Sequence, residues 1–212
     1  MSTYEWLLFD LDGTLSDPAE GFVNSMNHAL QFYNYAPRPA AQLTPHIGPP
    51  LEVTLAHLTG SADSTHVRAL VDKYRERYGE TGYAENTLYP GITDMLQQLS
   101  SIDGIRLGVC TSKRADFASR ILEQFELHHY FEFVSGGDVG VAKWQQLGKL
   151  LEEKRIGQRT LMIGDRHFDL SAAARNGLPS AGVLWGYGSK EELDQHTPAY
   201  LFHHPSEILN IF

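Results

Sequence analysis

The chain has a single cysteine, Cys110, so no internal disulfide can form, which fits a reducing compartment. It has no apolar run near the length of a membrane span, and no basic segment leading into a long apolar stretch opens it. Neither a membrane protein nor a secretory leader is expected, and a cytoplasmic location is. Positive charge is scarce, with 17 Lys and Arg against 26 Asp and Glu and a formal net charge of -9. That balance opposes broad binding to nucleic acid or anionic membrane. An anionic ligand would need a few placed bases or a metal ion to draw it in. Internal repeats and low-complexity tracts are also missing. The remainder, 42% hydrophobic and 20% charged over 212 residues, suits one α/β domain with a modest insertion.

The organising stretch is Phe9-Asp10-Leu11-Asp12-Gly13-Thr14-Leu15, which closes the apolar run Trp6–Phe9. In an extended segment side chains alternate, so Asp10 and Asp12 begin on one face. Gly13 lets the backbone turn and approach a bound group closely, and Thr14 adds a hydroxyl. Two acids at the end of a buried strand repel each other, which calls for a divalent cation or a cationic side chain between them.

Six apolar segments read as strands: Trp6–Phe9, Ile105–Cys110, Phe131–Ser135, Thr160–Ile163, Ala181–Trp185 and Tyr200–Phe202. Helical patterns lie between most of them, with shared faces at Ile92, Met95, Leu96 and Leu99, at Phe117, Ile121 and Phe125, and at Trp144, Leu147 and Leu151. Alternation of this kind implies a mainly parallel sheet covered by helices on both faces, with ligands at the carboxyl ends of its strands. Asp10, Thr111 and Asp165 each sit at such an end. Residues 17–83 break the pattern and read as a small all-helical insertion, leaving 1–16 and 84–212 as the α/β core. Asp17 is expected to cap the insertion's opening helix, with Pro18 in its first turn. A proline-rich link runs from Pro37 to Pro50, and Gly82 with Tyr89-Pro90-Gly91 marks the return.

A second acid cluster, Gly164-Asp165-Arg166-His167-Phe168-Asp169, follows the strand Thr160–Ile163. One helical turn would set Asp165 and Asp169 on a common face. Carboxylate oxygens without nearby thiols point to magnesium rather than zinc. Thr111-Ser112-Lys113 ends the second strand just before a helix start, where hydroxyls and free N–H groups can cradle a phosphate. Lys143 follows the glycine-rich stretch Gly136–Gly140 and stands at a loop-to-helix junction, where it could neutralise the acids. Taken singly, Asp165 and Thr111 could be simple helix caps.

These residues resemble the haloacid dehalogenase superfamily of phosphohydrolases, in its phosphoglycolate phosphatase-like branch, over essentially the whole chain. Asp10-Leu11-Asp12-Gly13-Thr14 matches the D-x-D-G-T signature, Thr111 the second-motif hydroxyl, Lys143 the third-motif lysine, and Asp165 with Asp169 the G-D-x-x-x-D pattern. The usual Lys-Pro-x-Pro continuation is replaced by Lys143-Trp144-Gln145-Gln146. The resemblance implies a Rossmann-like core with a helical cap inserted after the first strand. It also implies Mg2+-dependent hydrolysis of a small-metabolite phosphate monoester through an aspartyl-phosphate. Asp10 would be the nucleophile and Asp12 the acid/base. The metal would be held by Asp10, Asp165 and the backbone carbonyl of Asp12, with Asp169 binding it directly or orienting its ligands from behind. Gly13, Thr14, Ser112, Thr111 and Lys143 would surround the phosphoryl group, and Gly48 and Pro49 would face substrate from the cap. A sugar phosphomutase, a 5'-nucleotidase-type phosphatase and a non-catalytic binding protein are the alternatives, and a homodimer is compatible with the sequence.

Other conspicuous residues carry less. His128-His129 and His203-His204 are adjacent, so neither pair converges on one ion. Gly186-Tyr187-Gly188 reads as a loop, and Tyr74 with Tyr78 as packing within the insertion; Lys113 and Arg114 could reach substrate but read first as a solvated helix end.

Overall fold

A computed structural model describes residues 3–137 and 141–212, so residues 138–140 of the glycine-rich stretch lie outside the described part. In chain order the elements begin with strands β1 (Trp6–Phe9) and β2 (Ser16–Asp17), then helices α1 (Ala19–Phe32), α2 (Ala40–Leu43), α3 (Leu51–Thr59) and α4 (Ser64–Arg77). Next come β3 (Thr87–Leu88), α5 (Ile92–Ser100), β4 (Arg106–Cys110), α6 (Ala115–Gln124), β5 (Val134–Ser135) and α7 (Lys143–Glu152). The chain finishes with β6 (Thr160–Gly164), α8 (His167–Arg175), β7 (Ser180–Val183), α9 (Lys190–Asp194) and β8 (Tyr200–Phe202). It divides into two compact units, Met1–Asp17 with Leu88–Phe212, and Pro18–Thr87.

In the larger unit six strands form a parallel sheet in the order β5-β4-β1-β6-β7-β8. β1 lies inside it and is buried along its whole length, which is why its sequence is an unbroken apolar run rather than an alternating one. On one face Trp6 and Leu8 pack with Leu147 and Leu150 of α7 and with Ala172 and Ala173 of α8. Each large side chain buried there contributes about 1.5–3 kcal/mol. Register decides where the site forms. Phe9 pairs with Val109 of β4 and with Ile163 of β6, so the residues that follow all three strands emerge at one level.

Several expected details differ. The strand expected from Phe131 contracts to Val134–Ser135, because His128–Tyr130 form a 3-10 turn that leads Phe131 and Phe133 into the core as loop residues. Leu184 and Trp185 leave β7, and the Trp185 indole Nε1 instead donates to the Thr14 carbonyl at 2.9 Å. Trp144 is 40% exposed, while Lys143, Gln146, Leu147 and Leu150 form the buried face of α7.

In the helical unit α1 packs against α4, with Phe22 and Tyr74 edge to face at 6.0 Å and Tyr74 stacked on Tyr78 at 5.4 Å. Residues 84–87 group with this unit. Arg77 grips Glu85 through two 2.8 Å hydrogen bonds, and Gly21 N donates to the Glu85 carbonyl at 3.0 Å. Asp17 does not cap α1, whose N-cap is Pro18 without a side-chain bond. Its carboxylate accepts the Tyr187 hydroxyl instead. The proline-rich link contains α2 and a 3-10 turn, Thr44–His46, both too short to leave a periodic signal.

Candidate active site

Asp10 leaves the end of β1 between β4 and β6, and its N–H donates to the Ile163 carbonyl at 2.9 Å. Its Oδ1 accepts the Leu11 N–H at 2.8 Å, and its Oδ2 lies 3.0 Å from the Lys143 ammonium. Lys143 opens α7 and is 6% exposed, with its ammonium also bonded to Asp169 Oδ1. Burial works against that charge, but the carboxylates of Asp10 and Asp169 override it and raise the lysine pKa above its ordinary value.

Asp169 is fixed from its other side by the Arg166 N–H, which donates to Oδ2 at 3.1 Å in the first turn of α8. Burial pushes its carboxyl up to about 6, with Lys143 opposing the shift. Asp165, immediately after β6, is fully buried. Its Oδ2 accepts the Tyr187 N–H at 2.9 Å, and the Thr14 hydroxyl lies 3.4 Å from Oδ1. Burial and the neighbouring Asp169 and Asp10 raise its pKa well above the usual carboxylate range. Among the described residues no basic side chain pairs with it. Thus Asp10, Asp165 and Asp169 each offer an oxygen within 4.8 Å of the others, with one lysine serving two of them.

Two glycines permit this crowding. Gly13 adopts φ +82°, and a Cβ there would lie 2.1 Å from Asp165 Oδ2. A Cβ on Gly186 would lie 2.4 Å from Asp165 Cβ and 2.3 Å from the Gly13 carbonyl. The Gly186-Tyr187-Gly188 loop is therefore a wall of the acid cluster, a part that its weak glycine pattern did not announce. Gly186→Ala is expected to destabilise the fold by about 1–3 kcal/mol through overpacking. A urea melt superimposable on that of the unaltered protein would show that Asp165 yields to the methyl group.

Thr111 is buried, with its N–H on the Ser135 carbonyl at 2.9 Å and its Oγ1 accepting the Lys113 N–H at 3.2 Å, while Ser112 is exposed. The Asp12 carboxylate has a different cationic partner from the acid trio. It pairs with Lys113, whose Nζ lies 2.9 Å from Asp12 Oδ2. The expectation of a solvated Lys113 is thereby corrected, since its side chain is only 10% exposed; Arg114 is exposed and pairs with Asp116. Gly48 and Pro49 belong to the helical unit, between the 3-10 turn and α3. Burial pushes the Cys110 thiol up to about 12, which leaves it a poor nucleophile.

The sequence pattern of haloacid dehalogenase-like hydrolases matches residues 7–183. The chain belongs to this family. It is 37% identical over 201 residues to a 5'-nucleotidase of Pseudomonas aeruginosa, covering 93% of this chain and 90% of that one. It is 36% identical over 202 residues to tyrosine-protein kinase PtkA of Mycobacterium tuberculosis, covering 93% and 68%. A solved structure of that protein aligns with a TM-score of 0.83 at 32% identity, over 98% of each chain. Similarity to a phosphoglycolate phosphatase of Agrobacterium fabrum is 35% over 189 residues, covering 85% and 80%.

Proposed function

We propose that this haloacid dehalogenase-like hydrolase cleaves a small-metabolite phosphate monoester, with phosphoglycolate the first substrate to test. The observation that carries the reading is the buried trio Asp10, Asp165 and Asp169 bridged by Lys143 at the carboxyl ends of the central strands. Relatives named as a phosphatase and as a nucleotidase, over most of the chain, support it. So does the retention of every acid and base the chemistry needs, which speaks against a non-catalytic binding protein.

The donor set fits a hard divalent cation. Three buried carboxylates face one lysine, and among the described residues Asp165 has an N–H and a hydroxyl as its donors. Asp10, Asp165, Asp169 and the Asp12 backbone carbonyl would hold Mg2+. The ion would supply charge stabilisation to the phosphoryl oxygens.

The rest is done by the chain. An Asp10 carboxylate oxygen attacks phosphorus, the bond from phosphorus to the leaving oxygen breaks, and Asp12 gives that oxygen its proton. Asp12, now a carboxylate, then takes a proton from water, which attacks the same phosphorus. The bond from phosphorus to Asp10 breaks, and inorganic phosphate leaves. Thr111, the Ser112 N–H, Gly13, Thr14 and Lys143 would bind the phosphoryl oxygens, where charge spreads in the transition state. Gly48 and Pro49 would contribute to substrate choice from the helical unit. A sugar phosphomutase would share the first half and pass the phosphoryl group to a sugar hydroxyl rather than to water.

The test is a panel of phosphoglycolate, nucleoside monophosphates and sugar phosphates, with magnesium or with EDTA, read as free phosphate and as isomerised sugar phosphate. Magnesium-dependent phosphate release is expected. Isomerisation without release would favour the mutase, and no turnover of any ester would overturn both.

Ion-free protein should also respond to pH. The raised folded-state pKa values of Asp169, about 6, and of Asp165 mean that the folded chain holds protons which the unfolded one, near 3.8, has lost. The stability that Asp169 contributes is full below about pH 4 and falls as pH rises through about 6, and Asp165, whose pKa is also raised, adds to the loss as pH rises. Thermal melts in EDTA should show that fall, and saturating magnesium should flatten it. Identical pH profiles with and without the ion would count against metal binding by the trio.

A further inference from the structure

The four acids at the carboxyl end of the sheet do not share their cations evenly. Lys143 serves Asp10 and Asp169, and Asp165 has no lysine or arginine among the described residues. Asp12 is paired by a different lysine, Lys113. The Lys113 ammonium lies 2.9 Å from Asp12 Oδ2, with side-chain exposures of 10% and 20%. Asp12 Oδ1 is buried and makes no hydrogen bond among the described residues. The pair is therefore one-sided, with one oxygen gripped and the other unengaged.

Lys113 is also held at its root. Its N–H donates to Thr111 Oγ1 at 3.2 Å, and its carbonyl accepts the Gly137 N–H at 2.8 Å. With its amide assigned so that oxygen meets a donor and nitrogen an acceptor, Gln146 spans the same two loops, donating to the Thr111 carbonyl and accepting from Gly137 N, each at 3.2 Å. A surface lysine keeps most of its side-chain freedom, as the 72% exposed Lys149 does. Lys113 reaches its acid from a backbone tied at both ends.

We infer that Lys113 is a positioning residue for the reaction, fixing the Asp12 carboxyl through Oδ2 so that Oδ1 exchanges the proton with the leaving oxygen and then with water. This rests on the proposed role of Asp12. It makes a demand that a mere fastener between the β1 and β4 loops would not. Loss of Lys113 should hurt in proportion to how much the leaving group needs a proton. General acid catalysis contributes about 10²–10⁴-fold where the leaving oxygen is basic, and little where it departs readily as an anion.

The experiment compares the unaltered protein, Lys113→Met, Lys113→Arg, Asp12→Asn and the Lys113→Met/Asp12→Asn double variant at saturating magnesium. The substrates are an alkyl phosphate, phenyl phosphate and p-nitrophenyl phosphate. The readout is kcat/KM, which reports the reaction through leaving-group departure and is blind to later breakdown of the phosphoenzyme. Lys113→Met is expected to lose about 10²-fold on the alkyl ester and less than about threefold on p-nitrophenyl phosphate. Lys113→Arg should recover most of the loss, and the double variant should be no worse than Asp12→Asn alone. An equal loss on all three esters, no loss on any, or additive effects in the double variant would each overturn the inference. A variant that melts early is replaced by Lys113→Gln, read for the same dependence on leaving group. If the unaltered protein turns over none of the esters, the phosphatase reading has failed; if it turns them over and the variants show no leaving-group dependence, only the role of Lys113 has.

Discussion

Lys143→Met is expected to cost about 3–5 kcal/mol in the absence of divalent ions, the range for removing one partner of a buried charge pair. The ammonium is almost fully buried between Asp10 and Asp169, with Asp165 close by. Methionine keeps the stem and its packing but leaves three carboxylates facing one another with no ammonium or guanidinium paired to them among the described residues. The melting temperature should fall by roughly 6–20 °C. Magnesium should restore part of it, because an ion that binds only the folded chain stabilises it by mass action. A variant that melts with the unaltered protein in EDTA would mean that the acids are less crowded than the geometry shows.

Asp10→Asn has the opposite profile. Turnover should fall by at least about 10³-fold, since an amide cannot replace the attacking carboxylate. The fold should survive, and in EDTA the variant should melt no earlier than the unaltered protein, because one like charge has left a crowded buried cluster. Lys143 keeps Asp169 as its partner. Loss of the fold together with activity would remove the distinction between a nucleophile and a structural acid. Near-normal phosphate release would remove the nucleophile assignment altogether.

The core was legible because its signals are local and physical. A buried, mainly apolar strand with an acid directly after it recurs at β1 and β6, and the parallel register then brings Asp10 and Asp165 to one level. Lys143 was legible for a related reason: it stands at a helix start after the glycine-rich stretch that follows a strand. What escaped the sequence depends on long-range partners. The partner of Lys113 is Asp12, on a different loop, and nothing in Thr111-Ser112-Lys113 distinguishes a buried ammonium from a solvated one. Asp17 reads as a helix cap because Tyr187, which engages its carboxylate, lies far along the chain.

Helix α7 fails for another reason. Its buried positions Lys143, Gln146, Leu147 and Leu150 follow helical spacing, but two of the four are polar. A search for apolar periodicity passes over them and takes Trp144 instead, which faces outward near Arg175. The departure from Lys-Pro-x-Pro thus has a structural counterpart. Gln146 turns its amide inward and ties the Thr111 and Gly137 loops together.

The most direct test of the central claim is to locate the phosphoryl group. Protein mixed with substrate and magnesium, quenched in acid within one turnover and digested, should carry one phosphoryl group on the peptide containing Asp10, with tandem mass spectrometry placing it on that side chain. The same sample mixed in EDTA should carry none. A phosphoryl group on another residue, or rapid phosphate release with no phosphorylated peptide at any quench time, would contradict the account.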